Sequence, residues 1–289
     1  MRIGTVFPQT EVGADVGATR AYAEAVDSLG YAHLLVYDHV VGADPAAHEG
    51  WRFPYDVDTP FVEPLVLFAW LAGFTSLELV SGIVILPQRQ TVLVAKQAAD
   101  VDRLSGGRLR LGVGIGWNAV EYEALGKDFR NRGRRSEEQI TLLRRLWTER
   151  SVTFAGEHER VSGAGIAPLP VQRPIPVWIG GSSDAAYARI GRVADGWFPQ
   201  MHAGSHRLVD AREVIDQAAR GAGRDPGAIA MEGRVSWTAD GLDAVVAEVE
   251  RWREAGATHV SINTMGAGFA DADAHVAALT EAAGALGVR

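Results

Sequence analysis

Two neighbouring side chains, Asp38 and His39, close a short apolar run and open a long polar loop. The pair sets a hydrogen-bond acceptor beside a ring that titrates near neutrality, the equipment for moving a proton to or from a reacting molecule. The plainer reading is a carboxylate that caps the loop and a satisfied surface histidine. A second group, Gly180-Gly181-Ser182-Ser183, sits between an apolar run and a helical pattern. Glycines let a backbone approach a ligand closely, a helix N-terminus favours an anion, and hydroxyls add donors, so the segment suits a phosphate. It suits a tight turn with a serine N-cap equally well. A third group, Gly116-Trp117-Asn118, follows the glycine-alternating run Leu111-Gly112-Val113-Gly114-Ile115. Counted from Gly112, the dinucleotide-binding fingerprint requires a glycine where Trp117 stands. The alternating glycines are read instead as side chains removed to make room for a flat ring.

Other chemistries drop out. The chain has no cysteine, which excludes disulfides, thiolate metal sites, iron–sulfur clusters and cysteine nucleophiles. It has no His-Glu-x-x-His motif, no phosphate-loop Gly-Lys-Ser/Thr and no Gly-x-Ser-x-Gly elbow. His202 and His206 have helical i,i+4 spacing but no third ligand, so no metal is expected. A formal charge of −8 repels nucleic-acid backbones. The one dense basic run, Arg130, Arg132, Arg134 and Arg135, is a solvated loop or a rim for an anionic ligand tail. There is no long apolar N-terminal stretch and no run long enough to span a bilayer. The expectation is a cytoplasmic protein without a membrane partner, acting on a small molecule as a homodimer.

The elements that must position these groups alternate along all 289 residues. Strands are expected at Arg2–Phe7, His33–Tyr37, Leu77–Leu86, Arg108–Ile115, Val177–Ile179, Gly196–Pro199, Ala230–Trp237 and His259–Asn263. Several are nearly continuous in apolar residues, as strands of a parallel sheet buried on both faces are. Helical patterns cover Thr19–Leu29, Thr91–Leu104, Ser136–Trp147, Asp184–Val193, His206–Arg220, Leu242–Ala255 and Ala274–Leu286. Eight strand–helix units imply an α/β architecture, a (β/α)₈ barrel in one domain over 1–289, with the reacting groups at the C-terminal strand ends. Two insertions break the rhythm, at about 40–64 and 151–174. The first holds Trp51, Phe53, Tyr55 and Phe61 and is expected to cover the pocket. The second reads as a hairpin that turns at Ala155-Gly156-Glu157.

Several segments in this order resemble the luciferase-like monooxygenase superfamily, in its branch of F420-dependent oxidoreductases. They are Gly30-Tyr31-x3-Leu35-x2-Asp38-His39, Ser81-Gly82-Ile83-Val84-Ile85-Leu86-Pro87, Lys96-Gln97-x2-Asp100-x2-Arg103-Leu104-Ser105-Gly106-Gly107-Arg108, Gly112-Val113-Gly114-x-Gly116-Trp117-Asn118, Pro176-x-Trp178-Ile179-Gly180-Gly181 and Ala194-Asp195-Gly196-Trp197. The resemblance runs from about residue 3 to 200; the last third shares only its helix–strand pattern.

The resemblance implies a barrel with an isoalloxazine or deazaflavin ring over its mouth. It puts Asp38 and His39 beside the ring. It also puts a non-proline cis peptide in the third strand behind the ring, mapped to Ile83–Val84 within one residue, so Gly82, Ile83 and Val84 become ring-supporting residues. The phosphate maps to Gly180, Gly181, Ser182 and Ser183; Gly116, Trp117 and Asn118 are expected to bind the cofactor too, with Trp117 either an apolar wall near ring or substrate or a purely structural residue. Some sugar-phosphate dehydrogenases of the branch carry a glutamate where Trp117 stands, so that activity is not carried over. The expected activity is hydride transfer between coenzyme F420 and a small organic substrate, with His39 as acid or base near Asp38. The alternatives are an FMN-dependent monooxygenase served by a flavin reductase, and a non-catalytic flavin-binding barrel.

Overall fold

Parallel strands with few polar residues pair only if helices cover their outer face, and the chain supplies both along its length. The computed structural model describes residues 1–288. Its elements in order are β1 (Arg2–Val6), α1 (Val16–Ser28), β2 (His33–Val36), α2 (Pro64–Leu71), β3 (Glu78–Ser81), β4 (Val84–Ile85), α3 (Thr91–Leu104), β5 (Leu109–Gly114), α4 (Ala119–Ala124), α5 (Arg132–Thr148), β6 (Val152–Ala155), β7 (Arg160–Ala164), β8 (Val177–Gly180), α6 (Asp184–Val193), β9 (Gly196–Phe198), α7 (His206–Gly221), β10 (Ala230–Ser236), α8 (Gly241–Glu254), β11 (His259–Asn263) and α9 (Ala272–Leu286). The sheet closes on itself: β11 pairs with β1 from Arg2↔His259 to Val6↔Asn263, and β3 pairs with β5 at Leu79↔Leu109. With β4 continuing β3, this is an eight-stave parallel (β/α)₈ barrel, as the alternation implies. β6 and β7 form the antiparallel hairpin outside it, turning at 156–159.

The third stave departs from the continuous strand Leu77–Leu86. β3 ends at Ser81 and β4 begins at Val84; between them the Gly82–Ile83 peptide is cis, one bond before the Ile83–Val84 position the resemblance mapped. The glycines of β5 and Gly116 just after it face this stave. A Cβ at Gly112 would lie 1.9 Å from the Ser81 carbonyl oxygen, one at Gly114 2.4 Å from Ile83 Cδ1, and one at Gly116 2.7 Å from Ile85 Cγ2. The room they open is therefore filled by the neighbouring stave rather than left for a ring. Two short helices were not expected. α2 starts directly after the first insertion, with Glu63 accepting from the Val66 amide at 2.7 Å and Pro64 in the first turn. α4 is a six-residue helix capped by Asn118.

The N-terminal end of the barrel is sealed by charge. Glu232 of β10 is fully buried, 2.9 Å from His33 Nε2, and also accepts from Ser261 and the Arg110 guanidinium. Arg110 reaches Glu78 at 3.1 Å and lies 4.2 Å from the Trp178 ring centroid. Burial pushes the Glu232 carboxyl up, but Arg110, His33 and Ser261 together outweigh it and hold the group far below the usual carboxylate range. Burial, then the Arg110 charge, pushes the adjacent His259 ring down to about 3. Both groups refuse protons that the unfolded chain accepts. Stability should therefore be full above about pH 6.5, fall as pH drops toward 3, and fall more steeply once below the ordinary glutamate range. Glu232→Gln should cost about 1–3 kcal/mol in urea unfolding at pH 7, because it leaves Arg110 with Glu78 as its one carboxylate partner, and should flatten the steeper acid limb of Tm against pH. An unchanged limb would assign acid lability to other groups.

Candidate active site

The C-terminal stave ends surround a cavity of about 440 Å³. Of the residues singled out in the sequence, Asp38, His39, Gly82, Ile83, Gly116, Trp117, Gly180, Gly181, Ser182 and Ser183 line it together. Val84 does not: it pairs with Val113 and is fully buried in the core, because the break at Gly82–Ile83 leaves Ile83 as the residue on the cavity. Asn118 lies behind, where its side-chain oxygen accepts from the Val120 and Glu121 amides at 3.1 and 3.3 Å and caps α4. It lines an adjoining cavity of about 340 Å³.

Asp38 and His39 are neighbours in sequence but work apart. The Asp38 carboxylate is buried, accepting from Arg89 at 2.7 Å and from the Ile85 amide at 3.0 Å. Arg89 also binds Glu63, the cap of α2, at 2.6 Å. Asp38 thus braces the end of β2 against β4 and α2. Burial pushes its carboxyl up, with Arg89 and the Ile85 amide opposing.

His39 is held by Glu121. Its Nδ1 lies 3.4 Å from Glu121 Oε2, and the glutamate also accepts from Gln88 at 2.9 Å and from the Val40 and Val41 amides. Burial pushes the Glu121 carboxyl up; His39, Gln88 and the Val40 amide outweigh it and keep the group below the usual carboxylate range. An ionised carboxylate only accepts, so the proton of neutral His39 sits on Nδ1 and Nε2 has no protein partner among the described residues. Glu121 was named in the sequence by no motif, although the spacing Asn118-x-x-Glu121 is that of a helix start with an acid in the third position.

Around His39 the first insertion folds into an aromatic shell. Its ring centroid is 4.8 Å from Phe61, 5.3 Å from Tyr55 and 5.4 Å from Trp117, and Phe53 stacks on Trp117 at 4.4 Å. The insertion both packs itself down and walls the cavity.

Opposite, the glycine segment leads into α6, where Ser183 accepts from the Ala186 amide at 3.3 Å. The turn with a serine cap is therefore present. A Cβ at Gly181 would lie 2.6 Å from Ala186 Cβ and collide with it; one at Gly180 would lie 3.3 Å from Ile83 Cγ2, a tight contact that Ile83 would have to yield to. Arg189 of α6 and Ser136 of α5 also line this side of the cavity, and the Arg189 Nε is buried with no hydrogen-bond partner. Of the basic run, Arg135 is spent on Glu159 and the Pro87 and Arg89 carbonyls, and Arg132 lies 3.7 Å from the Phe129 ring centroid. Among the described residues no cluster of His, Asp or Glu is placed to hold a metal ion, and no helix is long and apolar enough to cross a membrane.

The fold is shared with known proteins. An uncharacterised Mycobacterium tuberculosis protein is 35% identical over 207 residues, covering 68% of this chain and 69% of its own. An FMNH2-dependent dimethylsulfone monooxygenase of Pseudomonas putida is 35% identical over 148 residues, 50% of this chain and 40% of that one. The solved structure of an F420-dependent secondary alcohol dehydrogenase bound to an F420–acetone adduct superposes with a TM-score of 0.78 at 16% identity, covering 100% of this chain and 99% of that one. The family model for luciferase-like monooxygenases matches residues 1–286. The chain belongs to the luciferase-like monooxygenase family and is an oxidoreductase of that family, whose members use F420 or FMN.

Proposed function

We propose that the chain uses the deazaflavin coenzyme F420 to exchange a hydride with a small organic substrate, with His39 carrying the accompanying proton. The observation that carries this reading is the His39–Glu121 pair on the cavity wall, a titratable ring held by a buried ionised carboxylate. Bound there, the deazaflavin would supply a two-electron hydride carrier with little tendency to activate oxygen. Gly180, Gly181, Ser182, Ser183 and Arg189 would hold its phosphate: two glycines, one with its Cβ position filled by Ala186 and one tightly bounded by Ile83, two hydroxyls, and a guanidinium nitrogen without a hydrogen-bond partner. Ile83, at the break in the third stave, would support the ring.

The chain's own residues then divide the work. Glu121 fixes the His39 ring and its tautomer and stabilises the ring when it is protonated. The free Nε2 gives a proton to a substrate oxygen in reduction and takes it in oxidation. The aromatic shell of Tyr55, Phe61 and Trp117 keeps water away from that nitrogen. An FMN-dependent monooxygenase working with a flavin reductase is the second reading, favoured by the identity to the dimethylsulfone monooxygenase over half of this chain. It uses the same phosphate arc.

Titrating the purified protein with F420 and FMN separately, read by tryptophan fluorescence, should show F420 binding the tighter by at least tenfold. Tighter FMN binding overturns the deazaflavin reading. Ser182→Asp, which adds a like charge on an exposed residue, should weaken binding of the preferred cofactor by about tenfold. Gly181→Asp is a poorer test, because the Cβ alone collides with Ala186. In a screen of enones and alcohols with F420, His39→Ala should lower turnover by about 10²-fold or more and leave the cofactor Kd within tenfold. Glu121→Gln should also slow turnover and should shift the pH at which the rate changes. Wild-type turnover in His39→Ala would make the ring a wall and nothing more.

A further inference from the structure

A second, smaller opening adjoins the main cavity on the side away from the glycine arc. It has a volume of about 300 Å³ and lies at the ends of β1, β2, β10 and β11, with Tyr37, Arg234 and Asn263 in its wall. Tyr37, Tyr55 and Arg234 line both spaces, so they stand where the two meet.

The polar groups here are donors without acceptors. Arg234 Nη1 donates to the Tyr37 hydroxyl oxygen at 3.1 Å, and no carboxylate lies within 4 Å of its guanidinium among the described residues. The Tyr37 hydroxyl accepts that bond, and its own proton has no acceptor among the described hydrogen bonds. Asn263 Oδ1 accepts from the Met265 amide at 3.1 Å, which leaves its NH2 to donate. The one acid at the rim, Glu11, is already engaged: it accepts from the Gly266 amide and the Thr10 hydroxyl, each at 2.7 Å. The other charged groups on the main cavity have carboxylate or guanidinium neighbours. Asp38 has Arg89, His39 has Glu121, and Arg189 faces Glu137 at 3.8 Å. Arg234 alone faces the opening with its charge unanswered. A guanidinium offers a planar fork of N–H donors that matches a carboxylate or sulfonate, and Arg234 presents that fork at the exposed mouth of the opening with no counter-charge within 4 Å among the described residues.

We propose that the substrate is a small organic oxyanion, a carboxylate or sulfonate, whose charged end is held by Arg234, Tyr37 and Asn263 in this second opening. Its reacting carbon then extends into the main cavity toward His39. The proposal rests on the reading of the main cavity as the cofactor site, but its anion-binding half does not depend on which cofactor is bound.

Benzoate and its neutral isostere benzamide serve as probes, titrated calorimetrically into the full-length protein. Benzoate should bind at least about tenfold more tightly than benzamide, the ratio expected of a charge-assisted contact. Arg234→Met should abolish that preference, leaving the benzamide Kd and the F420 Kd within about threefold of wild type. Arg234→Lys, which keeps the charge without the fork, should retain part of the preference, and it stands in if the methionine variant does not fold. Equal binding of the two probes by the wild-type protein, or a preference that survives Arg234→Met, overturns the proposal. A loss of F420 affinity above tenfold in Arg234→Met without a benzoate effect assigns the arginine to the cofactor and overturns it as well. If neither F420 nor FMN binds while the benzoate preference still follows Arg234, the cofactor reading falls and the anion site stands.

Discussion

The Glu121 carboxylate is the contact on which the shape of the cavity depends. It has no exposed surface, yet it is charged, and an ion taken out of water costs several kcal/mol unless its neighbours replace that water. Those neighbours come from two stave ends, His39 and the Val40 and Val41 amides after β2 and Gln88 after β4, while α4, which carries the glutamate itself, follows a third, β5. One carboxylate therefore fixes where the first insertion leaves the barrel and which way His39 turns. Three loops that would otherwise move independently share a single bonding centre. A histidine placed by such a centre keeps its tautomer, which is the property proton transfer demands.

The floor of the cavity is set by a different physical device, steric complementarity between two staves. Gly112, Gly114 and Gly116 have no side chains because Ser81, Ile83 and Ile85 fill the space where their Cβ atoms would stand. At Gly82 the same rule applies against Leu35, whose Cδ2 would lie 2.2 Å from a Cβ there. The interruption between β3 and β4 is thus accommodated by glycines on both sides of the sheet position, and it presents Ile83 to the opening. Packing of this density tolerates few alternatives, so the surface under the site is rigid.

Much of this was legible in the residues. Eight strand–helix units gave the barrel because β-branched runs and helical periods are strong local signals, and Thr91–Leu104 and Asp184–Val193 emerge with the limits their patterns imply. The site residues were legible as positions, since strand ends locate a barrel's mouth. Their partners were not. His39 sits beside Asp38 in the chain, and adjacency suggested a working pair; in three dimensions consecutive residues leaving a strand point different ways, so Asp38 turns to Arg89 and His39 to Glu121, 82 positions on. The glycine alternation was visible, but only the neighbouring stave's coordinates say what occupies the gap. α2 was masked by Glu63-Pro64, which reads as the end of a loop and is in fact a capped helix start.

The two ends of the barrel treat charge in opposite ways, and the contrast separates structural from ligand-facing groups. At the N-terminal end, the charges of Glu232, Arg110 and Glu78 pair with one another and His33 bonds Glu232 through Nε2, and burial raises the value of each contact. At the mouth, Asp38 follows the same rule, with both its oxygens used, and it is a brace although it lines the cavity. Arg189 leaves one buried nitrogen without a partner, and Arg234 has no carboxylate at all. A folded chain of net charge −8 has acids to spare for pairing its arginines. Arg234, with no carboxylate within 4 Å of its guanidinium among the described residues, and Arg189, which faces Glu137 only at 3.8 Å, stand on opposite walls of one connected opening. On the reading proposed above, the glycine arc with Arg189 and the opening beyond Tyr37 hold two molecules side by side, with His39 in the wall of the space they share.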